Sequence, residues 1–358
     1  MNNPFTPMFG VLPNNFIGRE QIINDYVHAT DNLNSPYRNM LITGIRGSGK
    51  TTLLNDVYKK MEKDPKKLVM KFTSTDDLLV EIINESARKT KGLFKRTFEQ
   101  VTGLIVAVMG ASFSFNREKS SLSFRHVFED VLKEVNASGR TVVILIDEIQ
   151  NVTEDLKKFC VAYQHFLQDD IKITLVMTGL NQAISDVLND KVLTFLRRAK
   201  RVVLPNIDLA LVKESYTLIF DQYEYGYDKE AIEYITNVSE GYAYFYQLIG
   251  YNLYESNLHI SLDVAKQIVE ESKIDLYQNV NELLWAELSD KDKEYLIAMC
   301  EDEGESKTSD ITNRMGQNRT YVTNYRKRLI DKGAIYQTTR GNVKFTLLFM
   351  KEFILENI

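Results

Sequence analysis

Apolar residues along this chain fall into two kinds of pattern. Between about residue 39 and residue 205, short unbroken apolar runs alternate with amphipathic stretches. The runs are NMLITG, KLVMKF, TVVILIDEIQN, IKITLVMTG and RVVLP. Between them, apolar residues recur at helical spacing: Leu53, Leu54, Val57 and Tyr58 in one stretch, with similar patterns in TDDLLVEIINESARKT, SFRHVFEDVLKEVN and LKKFCVAYQHFLQ. An earlier helix is predicted at REQIINDYVHATDNL, through Ile22, Ile23, Tyr26 and Val27. Runs without polar alternation predict strands buried on both faces. Their alternation with helices predicts a parallel sheet covered on both sides.

After Pro205 the strand-like runs stop. DLALVKESYTLIF, DKEAIEYITNVS, GYAYFYQLIGYNLYES and SLDVAKQIVEESKIDLYQNVNELLWAEL all carry a helical pattern. A third change comes near LSDKDKEYLIAMCEDEGESKTS, where an acidic loop precedes a basic segment. There Ile311 and Met315 mark a short helix and GQNR a turn. Val322, Tyr325, Leu329 and Ile330 make the apolar face of a second helix, which ends at Gly333. AIYQTT, RG and VKFTLL then read as a hairpin. A helix-turn-helix followed by a hairpin is a winged helix. The expected divisions are an α/β domain at 1–207, a helical domain at 208–284 and a winged helix at 285–358.

Gly92 to Asn116 is the least legible part. Val101 to Phe115 is uncharged, but it is shorter than the ~20 residues that a membrane-spanning helix needs and is broken by Gly103 and Gly110. A strand or hairpin on a core is expected there. The basic residues of KTKGLFKR read either as a contact patch or as a solvated helix end.

Composition narrows the class. The 358 residues suggest two or three domains. With 44% hydrophobic and 26% charged residues, the chain has the make-up of a soluble globular protein. A net charge of -5 excludes a uniformly basic nucleic-acid coat but not a local basic face. Cys160 and Cys300 offer neither a disulfide framework nor a zinc spacing and read as reduced core thiols. The four histidines form no ligand pair, so no dedicated protein metal site is expected. The opening MNNPFTPMFGVLPNNF lacks the pattern of a signal peptide, and a cytoplasmic location without membrane contact is expected.

The chemistry begins at GIRGSGKT. Gly44, Gly49, Lys50 and Thr51 meet the G-x-x-x-x-G-K-[ST] pattern, with an apolar run before it and an amphipathic helix after it. Such a loop turns backbone N–H groups onto phosphate oxygens, and the following helix presents its positive end. Arg46, Gly47, Ser48 and Thr52 complete the expected cradle. Lys50 would reach the β- and γ-phosphates of a nucleoside triphosphate, and the Thr51 hydroxyl would ligate magnesium. In VVILIDEIQ, Asp147 ends an apolar run and would stand near the magnesium. Glu148 follows and would orient and deprotonate a water. That carboxylate favours hydrolysis over transfer to a small acceptor.

The phosphate loop, the Asp-Glu strand end and an intervening strand together resemble the AAA+ branch of P-loop ATPases. NNFIGRE, Asn14 to Glu20, is similar to the opening of the subgroup that holds the origin-recognition ATPases and the STAND signalling ATPases. The resemblance covers nearly the whole chain except Gly92 to Asn116. It implies adenine contacts from Phe16 and Ile17. It places Thr178, at the end of ITLVMTG, at a polar sensor position on the strand between the phosphate-loop strand and the Asp147 strand. Arg197 and Arg198 resemble arginines that reach a neighbouring subunit's γ-phosphate, which would make a homo-oligomer; a solvated basic face is the other reading. The lid departs from the family pattern. EGYAYFYQ puts Tyr244 where many members carry an arginine, and Ala243 replaces the proline of a closer subgroup.

The winged helix resembles the C-terminal domain of the origin-recognition-like ATPases, whose second helix enters the major groove. Between Ile311 and Lys344 stand eight basic residues against one acid, Asp331. Arg319, Tyr321, Asn324, Arg326 and Arg328 on the second helix and Arg340 at the wing tip are the candidate contacts to double-stranded DNA. The expected function is a slow ATPase switch acting on DNA. The alternative is a signalling switch whose winged helix contacts protein, with a partner not identified. A form that binds ATP without cleaving it is a third reading, against which Glu148 speaks.

Overall fold

A computed structural model describes residues 3–8, 10, 13, 17–90 and 117–357. The strand or hairpin expected within 92–116 lies outside the described residues, as do Asn14 and Phe16.

Helix α1 (Glu20–Asp31) precedes strand β1 (Asn39–Thr43), α2 (Lys50–Glu62), β2 (Lys67–Thr73) and α3 (Leu78–Thr90). Then follow α4 (Arg117–Ala137), β3 (Thr141–Ile149), α5 (Glu154–Gln168), β4 (Ile173–Gly179), α6 (Asn181–Asn189) and β5 (Lys200–Val203). These strands form one parallel sheet in the order β2-β3-β4-β1-β5. Sequence neighbours β1 and β2 are thus separated, and β4 runs between β1 and β3, where the resemblance places the sensor strand.

The unbroken apolar runs have a simple cause. In β3, Val142, Ile144 and Ile146 face a core built with α3, α4, α5 and α6, while Val143 and Leu145 face a second core built with α1 and α2. Side chains alternate sides along a strand, and here both sides are dry. The three-layer arrangement puts the C-terminal ends of β1, β3 and β4 together at one edge of the sheet.

Helices α7 (Leu209–Gln222), α8 (Lys229–Val238), α9 (Ala243–Ser256) and α10 (Leu262–Leu276) follow. A wider turn at Tyr277–Asn281 leads into α11 (Glu282–Ala286) and α12 (Asp290–Met299). The winged helix then runs β6 (Ser306–Lys307), α13 (Thr308–Arg314), α14 (Arg319–Asp331), β7 (Ile335–Gln337), β8 (Asn342–Phe345) and α15 (Met350–Asn357), with its strands ordered β6-β8-β7. The lid helices and the winged helix do not have separate cores. One buried cluster runs from Phe5 through Val212, Phe245, Val280 and Leu329 to Ile354. Phe245 meets Phe349 edge to face, and Tyr277 and Trp285 both meet Phe353. The start of the chain joins this body. The Phe5 ring lies over Gly250, where a Cβ would sit 2.4 Å from it, and Thr6 N–H donates to Gln247.

Candidate functional site

The loop between β1 and α2 turns through two left-handed glycines, Gly47 at φ +69° and Gly49 at φ +89°. Gly49 is the N-cap of α2 and supplies no side chain to its first amides. Those N–H groups therefore keep their hydrogen-bonding capacity for an anion. Ser48 is buried, and its Oγ has no hydrogen-bond partner. A buried hydroxyl without a partner costs free energy, and a phosphate oxygen is a fitting acceptor. Lys50 Nζ donates to the carbonyls of Gly44 and Ile45, both at 2.8 Å. Burial lowers its pKa to about 8; Asp147 and Glu148 pull it up, and Arg46 pushes it down. Thr51 and Thr52 follow in the first turn of α2, both half-buried.

Asp147 lies at the end of β3, 3% exposed, and its Oδ1 accepts from the Thr178 hydroxyl on β4. The sequence-predicted sensor and metal residues are thus directly bonded. One residue on, the β3–β4 register shifts between Ile146 and Ile149, and Glu148 takes φ +54°. Bulges of this kind re-aim side chains at functional sites, and a non-glycine residue in the left-handed region stores strain. Here the Glu148 N–H folds back onto Asp147 Oδ1 at 3.0 Å. Asp147 and Thr51 offer the hard oxygen donors that suit magnesium, so the donor set fits that ion.

Four residues that sequence reasoning did not single out complete the site. Arg19, inside the quoted FIGRE, is buried and donates to the carbonyl of Pro205 at 2.6 Å and, at 3.5 Å, to that of Ser48. Burial pulls its pKa below the ordinary value. Lys71, a charge inside the run KLVMKF, places Nζ 3.6 Å from Asp147 Oδ2 and donates to Asn55 of α2 at 2.5 Å. A lysine in a strand buried on both faces was the available signal. Tyr242, at the start of lid helix α9, donates its hydroxyl to the Arg46 carbonyl at 2.7 Å, and the N–H of Tyr244 donates to Gly47 O at 3.2 Å. The Arg46 guanidinium pairs with Glu287 at 2.5 Å. Nothing in the local sequence marks Tyr242 or Glu287.

Ile17 packs against the lid core. Arg197 and Arg198 are exposed beside β5, with Arg197 Nε held by the carbonyl of Leu188 at 2.9 Å. They stand apart from the residues gathered at the phosphate loop. On the winged helix, Arg319 and Asn324 are exposed and the Tyr321 ring lies tilted against Tyr325 at 4.8 Å. Arg340 is exposed between β7 and β8. Arg326 donates to Gln337 at 2.8 Å, and Arg328 pairs with the buried Asp292 at 2.8 Å. These two arginines are engaged within the protein.

A family profile described as an AAA domain matches residues 33–188. This stretch is similar to an AAA domain. The match spans the phosphate loop, Asp147, Glu148 and Thr178, so it contains the residues joined at the sheet edge. A second profile, a domain of unknown function (DUF8462), matches residues 278–354, which include most of the winged helix. No curated protein matches the chain. Among solved structures, the walker-type ATPase paby2304 of Pyrococcus abyssi superposes with a TM-score of 0.66 at 15% identity, covering 97% of this chain and 100% of that one. The Aeropyrum pernix ORC2 protein in its ADPNP–ADP complexes gives 0.64 at 14% identity, covering 98% and 95%. At these identities the likeness is one of fold. It extends beyond the AAA domain through the helical region and the winged helix. No helix among the described residues is long and apolar enough to cross a membrane.

Proposed function

We propose that this protein binds ATP with magnesium, hydrolyses it slowly, and uses the occupancy of its phosphate loop to control how a DNA-binding winged helix is presented. The observation that carries the reading is the joined site inside the AAA domain: the left-handed phosphate loop, Asp147 bonded to Thr178, and Glu148 turned out of the strand by a bulge. In this reading the amides of α2, Lys50 and Ser48 hold the phosphates. Ile17, with Phe16, packs on the adenine. Thr51 and Asp147 would hold magnesium, which supplies charge neutralisation at the β- and γ-phosphates when bound. Glu148 accepts the proton of the attacking water, and Thr178 fixes Asp147 and faces the γ-phosphate. Arg197 and Arg198, exposed beside β5, serve a second copy. The divisions at 207 and 284 serve as working boundaries, and the protein acts in the cytoplasm.

DNA is assigned to the exposed face of α14 and the tip of the β7–β8 hairpin, through Arg319, Asn324 and Arg340, with Tyr321 alongside. Arg326 and Arg328 would have to leave Gln337 and Asp292 to join them. A different observation favours contact of the winged helix with protein: Lys332, Gly333 and Leu347 line a small cavity together with Gly44, Ile45 and Arg46 of the phosphate loop. The winged helix already rests on its own AAA domain. The two readings separate on retention of a duplex at ~0.1 M salt, with and without ATP, where the phosphate contribution to affinity is still large. Nucleotide-dependent retention supports DNA; none in either state sinks it. The hydrolytic assignment is tested by Glu148→Gln, which should retain ATP and lose turnover. Unchanged turnover removes Glu148 from its role.

A further inference from the structure

Three contacts hold the phosphate loop from the helical region that follows the sheet. Tyr242 bonds the Arg46 carbonyl, Tyr244 bonds the Gly47 carbonyl, and Glu287 pairs with the Arg46 guanidinium. The first two fix the backbone of the loop. The third is of another kind, because it engages the side-chain cation of a loop residue with a carboxylate from the segment between α11 and α12. A guanidinium binds carboxylate and phosphate oxygens with the same donors. Arg46 cannot give its full set to both.

Glu287 is itself tied to the winged helix. Its carbonyl accepts from Lys332 Nζ at 3.0 Å, and that ammonium also reaches Asp292 Oδ2 at 3.1 Å. Asp292 is fully buried, closes the capping box of α12, and pairs with Arg328 on the exposed helix α14 at 2.8 Å. A continuous polar path therefore runs from Arg46 through Glu287, Lys332 and Asp292 to Arg328.

Resting on the ATP reading above, we propose that Glu287 is an affinity-setting residue: it occupies Arg46 in the place of a phosphate oxygen, so that nucleotide phosphates and the seated winged helix compete for one guanidinium. Nucleotide then binds at the cost of the Arg46–Glu287 pair, and release of Glu287 loosens the anchor of Lys332. By linkage, whatever favours the unseated winged helix tightens nucleotide binding by the same factor.

The test is a double-mutant cycle on Arg46→Gln and Glu287→Gln, read by equilibrium titration with a fluorescent ATP analogue and with adenosine. The pair is partly exposed, with the two side chains 33% and 55% accessible. Freeing Arg46 should therefore tighten ATP by about two- to fivefold, the range of an exposed ion pair, and leave adenosine unchanged. Arg46→Gln should weaken ATP, and Glu287→Gln should then add nothing in that background. Weaker or unchanged ATP binding in Glu287→Gln overturns the competition. So does a Glu287→Gln effect that persists without Arg46, or one that is equal for adenosine. Circular dichroism and melting of each variant separate lost folding from lost affinity. Failure of the wild type to bind the analogue, with Lys50→Ala no different, refutes the ATP reading instead.

Discussion

Raising the pH from 7 to 9 should weaken ATP binding through Lys50. Burial in the closed phosphate loop lowers the pKa of this lysine to about 8. Its partners there are two carbonyl oxygens, which stabilise the ammonium but do not repay its desolvation. Only the protonated form holds a phosphate by charge, and a bound triphosphate raises the pKa again. The lowered value belongs to the empty site, so the loss begins where that site deprotonates: affinity is full below pH ~8 and falls about tenfold per unit above it. Between pH 7 and pH 9 the ratio is about tenfold, because about nine-tenths of the empty sites have lost the proton at the upper end. The measurement is a titration with a fluorescent ATP analogue at constant ionic strength. Calorimetry in two buffers of different ionisation heat should show about nine-tenths of a proton taken up at pH 9 and almost none at pH 7. Lys50→Arg carries its charge throughout and should abolish the slope. A flat wild-type affinity, or a slope that survives in Lys50→Arg, refutes the assignment.

Gly47→Ala should damage both folding and binding. The new Cβ would lie 2.3 Å from the Tyr242 hydroxyl in a left-handed residue, at a conformational cost of about 1–2 kcal/mol before any clash. An unchanged melting temperature together with wild-type ATP affinity would contradict this geometry. Asp292→Ala leaves Lys332 and Arg328 without their buried partner and opens the capping box. The expected loss is about 3 kcal/mol in chemical denaturation, and a loss below about 1 would show that the cluster is slack. Burial raises the pKa of Asp292, but its bonds to Ser289 and Lys332 outweigh that and leave it lowered. Its contribution is therefore present above the ordinary carboxylate range and disappears as acid protonates it, so wild type and variant should converge at low pH. Arg340→Ala, if DNA is the ligand, should flatten the salt dependence of binding by about 0.9 in the log–log slope. An unaltered slope would take the hairpin tip out of the interface.

Much of this architecture was legible because its causes are local. The glycines and lysine of GIRGSGKT, the apolar runs and the helical spacing around Val322 and Leu329 each act within a dozen residues. The order of strands was not local. It depends on pairings such as Leu41 with Met177 and Phe72 with Ile146, far apart in the chain. The position of β4 came from the family resemblance and not from periodicity. At the site, the Asp-Glu pair was readable, but the bulge that turns Glu148 is a property of the β3–β4 register. Arg46 was legible as part of the cradle, but its partner Glu287 lies 241 positions away. The departure at Tyr244 removed a lid arginine from the expected contacts. The structure puts backbone and hydroxyl bonds from Tyr242 and Tyr244 at the same loop.

The continuous core beneath the lid and winged helix has a mechanical consequence. Phe245 against Phe349, and Tyr277 and Trp285 against Phe353, leave no soft joint at that boundary. Close-packed interiors deform little and turn as units. The chain passes from the sheet core to this body at Pro205 to Ile207, where Arg19 holds the Pro205 carbonyl and Ile207 N–H bonds Gly241 O. A small rotation there would swing helix α14 as the far end of a lever, with the phosphate loop beside the pivot. Displacement at Arg319 and Arg340 would then scale with their distance from that pivot rather than with the size of the change at the nucleotide.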